Sequence, residues 1–226
     1  MRFLLAYAIW PHLESLDLRD MASLIPSYGI PYDDEMMLRE ESPANKLKNR
    51  VIKQHFTYND QARKFTNKFI YVCRDGRDAI VSYWYFCNQR DNTTVSLADF
   101  IRSSSEGGYG PWRKHVIGWL EAPVKEKLIV RYEDMLCDPE LCLFNTLKFI
   151  NIYRSPEQVS AAVEKASFGS MKIVEQTKGF GLDQLKTVDF VRKGKSGEWR
   201  KEFKTNELDS FCKYHGKGIS KLDYMW

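Results

Sequence analysis

The stretch Lys68-Phe69-Ile70-Tyr71-Val72-Cys73, followed by Arg74-Asp75-Gly76-Arg77-Asp78 and a helical run to Asn88, decides the fold. KFIYVC is short and rich in β-branched and aromatic residues, the kind of segment buried in a parallel sheet. Asp75 to Asn88 is a strong helix candidate. A strand, a tight turn and a helix bring backbone amides to a positive helix end, where phosphate binds readily. Arg74 at the strand end and Ser82 two turns into the helix can face one anion. The alternative is a solvated turn in which Arg77 and Asp78 serve only as helix-start charges.

Working outward, Arg50 to His55 (RVIKQH) and Lys127 to Tyr132 (KLIVRY) read as two further strands. Helices are expected over Met1 to Trp10, Ser15 to Ile25, a segment capped by Ser96, and Pro111 to Glu121. More follow at Asp138-Pro139, where Asp caps and Pro takes the first helical position, at Ser155-Pro156-Glu157, and near Asn206 to Tyr214. Ile30 to Asn49 is mostly loop. Gly179 to Gly197 is Gly- and Lys-rich without periodicity. Strands separated by helices imply an α/β fold with a mainly parallel sheet in one domain. Ligands then bind at the carboxyl ends of the strands.

Composition narrows the function. The 226 residues are 43% hydrophobic and 28% charged, which excludes a disordered chain. No apolar run reaches the ~20 residues that cross a bilayer, so no membrane span is expected. The net charge of +4 is too mild to argue for nucleic acid but suits a small anionic ligand. Cys73, Cys87, Cys137, Cys142 and Cys212 form no CxxC pair and read as reduced thiols of a cytoplasmic protein. The histidines, His12, His55, His115 and His215, show no metal-ligand spacing, so no metal is expected.

Three other features carry chemistry. Lys53 and His55 share one face of their strand at period two, an ammonium beside an imidazole. Such a pair can take a proton and stabilise developing negative charge; a polar strand end is the plainer reading. Phe190-Val191-Arg192-Lys193-Gly194 puts two cations beside a glycine, a loop able to close over a phosphate or simply to lie on the surface. Tyr132 ends a strand and can stack on a base or cover the core.

In order, these segments resemble the sulfotransferase family that uses 3′-phosphoadenosine 5′-phosphosulfate (PAPS), from about Met1 to Phe203. RVIKQHF is similar to the strand bearing its Lys-x-His pair. YVCRDGRDAIVSYWYF resembles its 3′-phosphate-binding strand and helix, with Arg74 and Ser82 at the family's spacing. GGYGPWRKHVIGWLE resembles its acceptor-side segment, LIVRYEDMLCDP its strand-YEDM junction, and FVRKGKSGEWRKEF its closing RKGxxGxW loop.

The resemblance implies a three-layer α/β/α, P-loop-like fold and transfer of a sulfuryl group to a hydroxyl or amine of a small-molecule acceptor. His55 would be the base and Lys53 would stabilise charge on the moving group. Arg74, Ser82, Arg192, Lys193 and Gly194 would hold the 3′-phosphate, Tyr132 and Phe168 would meet the adenine, and His115 would line the acceptor. Adenosine 3′,5′-bisphosphate would be the product. The acceptor pocket is expected in Ile30 to Asn49 and Gln89 to Gly110.

Two departures stand out. Nothing matches the family's PKSGTTW phosphosulfate loop, and MRFLLAY resembles the helix that follows it. A truncated chain is therefore expected, with a non-catalytic nucleotide-binding remnant as the alternative to an enzyme. The family's dimer motif, centred on Thr-Val, is not reproduced around Lys204-Thr205-Asn206, so dimerisation by that route is not expected. A small-molecule kinase is disfavoured because no magnesium-binding carboxylate stands beside a phosphate loop.

Overall fold

Alternation along KFIYVC produces a strand with one wet and one dry face. Phe69, Tyr71 and Cys73 of β1 (Lys68–Cys73) are buried, while Val72 between them is exposed. β1 pairs in parallel with β2 (Glu126–Arg131), in register from Lys68 opposite Glu126 to Cys73 opposite Arg131. An ion pair of 2.9 Å between Lys68 and Glu126 opens the ladder. The computed structural model describes residues 1–29, 33–35, 39–48, 50–59, 68–104, 111–179 and 188–224. Two compact units emerge, 1–54 with 137–194, and 55–136 with 195–226.

The second unit contains the sheet. Parallel strands need a crossover, and here it runs through α3 (Gly76–Asp91), α4 (Leu97–Ser103) and α5 (Trp112–Glu121). Asp75 caps α3 by accepting from Arg77 N at 2.9 Å, and Ser96 caps α4 by accepting from Asp99 N at 3.2 Å. Asn92, at φ 50°, ends α3 in the left-handed conformation that asparagine tolerates. After β2 come α6 (Tyr132–Cys137) and, later, α10 (Trp199–Glu202) and α11 (Thr205–Lys221). Phe211, His215, Gly218 and Ile219 form the buried stripe of α11. A Cβ at Gly218 would stand 2.5 Å from the Trp112 indole, and one at Gly76 would stand 2.6 Å from it. Two glycines thus admit one large ring between α3, α5 and α11.

The first unit is helical. Its central element, α1 (Arg2–Ile9), buries Leu4 through Ile9 on every face. The carbonyls at its end would be orphaned; Arg154 donates to Ala8 O at 2.6 Å and Ile9 O at 3.0 Å. Around it lie α2 (Leu18–Leu24), α7 (Pro139–Phe149), α8 (Pro156–Lys165) and α9 (Phe168–Lys178). Asp17, Asp138, Ser155 and Ser167 cap them, with a capping box at Asp17 and at Ser155.

The α/β expectation with a parallel sheet holds. The expected strand over Arg50 to His55 does not form. Only a bridge between Ser27 and Lys53 appears, with Lys53 N donating to Pro26 O and Tyr28 N to Lys53 O, both at 2.8 Å. Continuing the ladder toward Val51 would need an N–H from residue 26, and proline has none. The third strand ends at Arg131, one residue earlier than expected, because Tyr132 opens α6.

One buried group makes the second unit acid-sensitive. His215 is 0% exposed and packs on the rings of Phe211 and Trp112. Burial, reinforced by the charge of Arg113, lowers its pKa from 6.5 to about 4. The unfolded chain therefore binds a proton that the native state refuses, so stability falls as pH drops from about 6.5 toward 4. Urea titrations at pH 7 and pH 4.5 should show His215→Phe losing about 2 kcal/mol less than the parent over that interval. Equal losses would remove His215 as the cause.

Candidate active site

In the second unit the site is built at the carboxyl end of β1. Arg74 follows the strand directly and turns back over it. Its Nη2 donates to Lys195 O at 2.9 Å, and its guanidinium lies 4.5 Å above the Tyr132 ring. Asp78 Oδ2 is 3.9 Å from Nη2. Among the described residues, the buried Arg74 Nε has no acceptor. A buried guanidinium N–H without a partner is costly, so the place suits an anion. Ser82 is half-buried on α3, eight residues on.

Asp78, read from the sequence as a helix-start charge, does more. It is 1% exposed, and its two oxygens accept from Gly197 N at 2.6 Å and Trp199 N at 2.9 Å. Beside it, Asp75 accepts from the Arg77 guanidinium, Nε to Oδ1 at 3.0 Å and to Oδ2 at 3.2 Å, and Nη2 to Oδ2 at 2.7 Å. Arg77 in turn lies 4.0 Å above the Trp199 ring. Together these contacts fix the segment just after the basic Gly194 loop. Sequence reading quoted Trp199 only as the last residue of the RKGxxGxW loop and gave it no role.

His55 begins the second unit's first segment, half-buried. Its carbonyl accepts from His115 Nε2 at 3.2 Å, and the next carbonyl, of Phe56, accepts from Trp119 Nε1 at 3.0 Å. The other ring nitrogen of His115, Nδ1, meets the Tyr71 hydroxyl at 3.0 Å. A carbonyl can only accept, so Nε2 carries the proton and Nδ1 accepts from Tyr71. Burial lowers the His115 pKa, against the bonds its ring makes to the His55 and Phe56 backbone.

The first unit holds the remaining expected residues. Phe168, 45% exposed at the start of α9, lies against Gly194 so closely that a Cβ there would come within 2.3 Å of its ring. Gly194 has φ +61°, a second reason for glycine. Arg192 and Lys193 precede it. They are anchored from behind by Val191, whose N–H donates to Glu175 Oε1 at 2.9 Å and whose side chain packs on Met171 and Val174. Lys53 also belongs here. Burial first, and Arg2 second, lower its pKa to about 8, with Asp33 opposing.

Parts of the expected acceptor pocket, residues 30–32, 36–38, 49 and 105–110, lie outside the described residues. Among the described residues, no cluster of His, Cys, Asp and Glu is arranged to hold a metal, and no helix is long and apolar enough to cross a membrane.

Comparison with known proteins follows the same lines. A family model described as the sulfotransferase domain matches residues 7–223. Sulfotransferase 1 family member D1 of Rattus norvegicus is 29% identical over 204 residues, 84% of this chain and 66% of that protein. Sulfotransferase 1E1 of the same species is 30% identical over 193 residues, 77% of this chain and 64% of that protein. Flavonol 3-sulfotransferase of Flaveria bidentis is 28% identical over 191 residues, 75% and 60% of the respective chains. The chain thus spans less than two thirds of the length of these relatives. Among solved structures, retinol dehydratase in complex with androsterone and inactive cofactor PAP shares the fold at a TM-score of 0.66 and 22% identity, over 87% of this chain and 59% of that one. A mouse sulfotransferase complexed with PAP does so at 0.62 and 22%, over 80% and 69%. With a domain model that runs nearly end to end, this chain belongs to the sulfotransferase domain family.

Proposed function

We propose that the protein transfers the sulfuryl group of PAPS to a hydroxyl or amine of a small organic acceptor, as a cytoplasmic enzyme without a metal. The observation that carries this reading is Arg74, a guanidinium at a strand end whose buried Nε has no acceptor among the described residues and whose plane rests on Tyr132. That is an anion seat beside an aromatic ring. The first unit adds a second aromatic, Phe168, over a glycine preceded by two cations. Adenine stacking and 3′-phosphate binding need those parts, and PAP-bound structures share the fold. The five cysteines carry no disulfide, which agrees with a reducing compartment.

PAPS supplies an activated sulfuryl group on a phosphate leaving group. The chain's part is positioning and electrostatics. By the family resemblance, Arg74 and Ser82 of the second unit and Arg192, Lys193 and Gly194 of the first are assigned to the 3′-phosphate, and Tyr132 and Phe168 to the base. His55 takes the proton from the acceptor's attacking oxygen or nitrogen. Lys53 offers positive charge to the oxygens of the group in transit. Androsterone and retinol are each bound by retinol dehydratase, a protein of this fold, so the acceptor is expected to be a hydrophobic alcohol.

Calorimetry with adenosine 3′,5′-bisphosphate and with 5′-AMP tests the nucleotide reading. The bisphosphate should bind at least tenfold tighter, and Arg74→Gln should abolish that preference, since charged hydrogen bonds are worth about 1.5–3 kcal/mol. Equal affinity for both nucleotides would contradict it. Binding by the parent without turnover of any alcohol would leave the nucleotide-binding remnant as the better description.

Lys53 supplies an independent check. Its native pKa of about 8 lies below the unfolded 10.5, so the unfolded chain binds more protons between those values. Stability therefore rises from pH 8 to 10.5, and the buried charge costs most below pH 8. Lys53→Met should be more stable than the parent at pH 7, by on the order of 2 kcal/mol, while losing turnover. The gain should vanish above pH 10.5. A variant less stable at pH 7 would refute the burial argument.

A further inference from the structure

We infer that α5 is a clamp for the candidate base: His115 and Trp119, one helical turn apart, position His55 by holding the carbonyls of His55 and Phe56. The inference rests on the reading of His55 as the base, and it gives His115 a role other than lining the acceptor. Residues at i and i+4 share a helix face. Here the two are the ring donors of that face, and they reach two consecutive carbonyls, at 3.2 Å and 3.0 Å. Holding two consecutive carbonyls fixes the rotation of the peptide plane that leaves the His55 α carbon together with that of the next plane, so the first cannot turn without moving the second. That rotation aims the His55 side chain.

The clamp is itself held. Trp119 is buried, stands edge-on to Phe69 at 4.9 Å and to Tyr58 at 5.3 Å, and so is anchored in the sheet and in the clamped segment at once. His115 stacks on Tyr71 of β1 at 5.5 Å. The Tyr71 hydroxyl donates to Nδ1 and leaves the proton on Nε2, where the His55 carbonyl needs it. Without Tyr71 the ring could carry its proton on Nδ1 and present a lone pair to the carbonyl. Tyr71 thus selects the tautomer, His115 and Trp119 hold the backbone, and none of the three has to touch substrate. Both nitrogens of His115 are spent on the protein, which leaves no polar atom of that ring for an acceptor hydroxyl.

The test uses the full-length protein and steady-state kinetics with PAPS and a hydrophobic alcohol as acceptor. His115→Phe keeps the ring and loses both nitrogens; His115→Gln keeps a donor near the Nε2 position. The Phe variant should lower kcat about ten- to a hundredfold, the scale of a small misplacement of a catalytic group, with both KM values within about twofold of the parent. The Gln variant should recover most of the rate, and Trp119→Phe should repeat the loss. A raised acceptor KM with kcat unchanged would overturn the clamp and return His115 to the acceptor pocket. His55→Ala separates the two ideas. Inactive His55→Ala with fully active His115→Phe rejects the clamp and keeps the base, whereas active His55→Ala rejects the base and the clamp with it. Should His115→Phe not fold, nitrogen NMR of the parent decides: the Nε2–H tautomer at His115 is required, and the Nδ1–H tautomer would overturn the proposal.

Discussion

The second unit turns on one buried carboxylate. Asp78 sits in the first turn of α3, where the helix dipole already favours negative charge. It spends both oxygens on backbone N–H groups of Gly197 and Trp199, more than a hundred residues away in sequence. A buried carboxylate is tolerated only when fully bonded, and these two bonds meet that condition while closing the Gly197–Trp199 turn onto the helix. Arg74 profits twice. It lies within 3.9 Å of the same carboxylate, and Lys195, whose carbonyl takes its Nη2, is held in place by the turn that follows. The placement of Arg74 is a consequence of Asp78 as much as of the arginine itself.

In the first unit the organising device is steric rather than ionic. Gly194 is the residue that permits both a positive φ and the approach of the Phe168 ring. Ahead of it, Glu175 takes the Val191 N–H, and Lys172 pairs with both Glu175 and Asp189, so the approach to the two cations is pinned to α9. Placing an exposed aromatic at the first position of that helix costs some favourable burial. Such departures from the usual pattern gather where ligands bind.

Much of this was legible before the structure. Caps at Ser96, Asp138 and Ser155 were readable because a short polar side chain before an apolar run has a local cause. β1 was readable from its alternation. The strand over Arg50 to His55 was misread because strand formation depends on a partner, and the block at Pro26 lies in another part of the sequence. The last helix runs to Lys221, past the expected Tyr214. Gly218, inside it, admits the Trp112 ring. α9 went unread. Phe168 came only from family resemblance, and the bonds of Asp78 and His115 came from nowhere local, since their partners are distant in sequence. Lys53 and His55 fall in different units, so their shared strand face has no counterpart in either one.

The most direct test is the affinity of Asp78→Asn for adenosine 3′,5′-bisphosphate, measured beside its circular dichroism and melting temperature. An amide has one oxygen where the carboxylate has two, so one of the Gly197 and Trp199 N–H groups must face an N–H₂ instead. The account expects a folded, somewhat less stable chain whose affinity for the bisphosphate falls at least tenfold, while affinity for 5′-AMP changes little. Undiminished preference for the bisphosphate in a folded Asp78→Asn would contradict it and show that Arg74 seats its anion without the carboxylate.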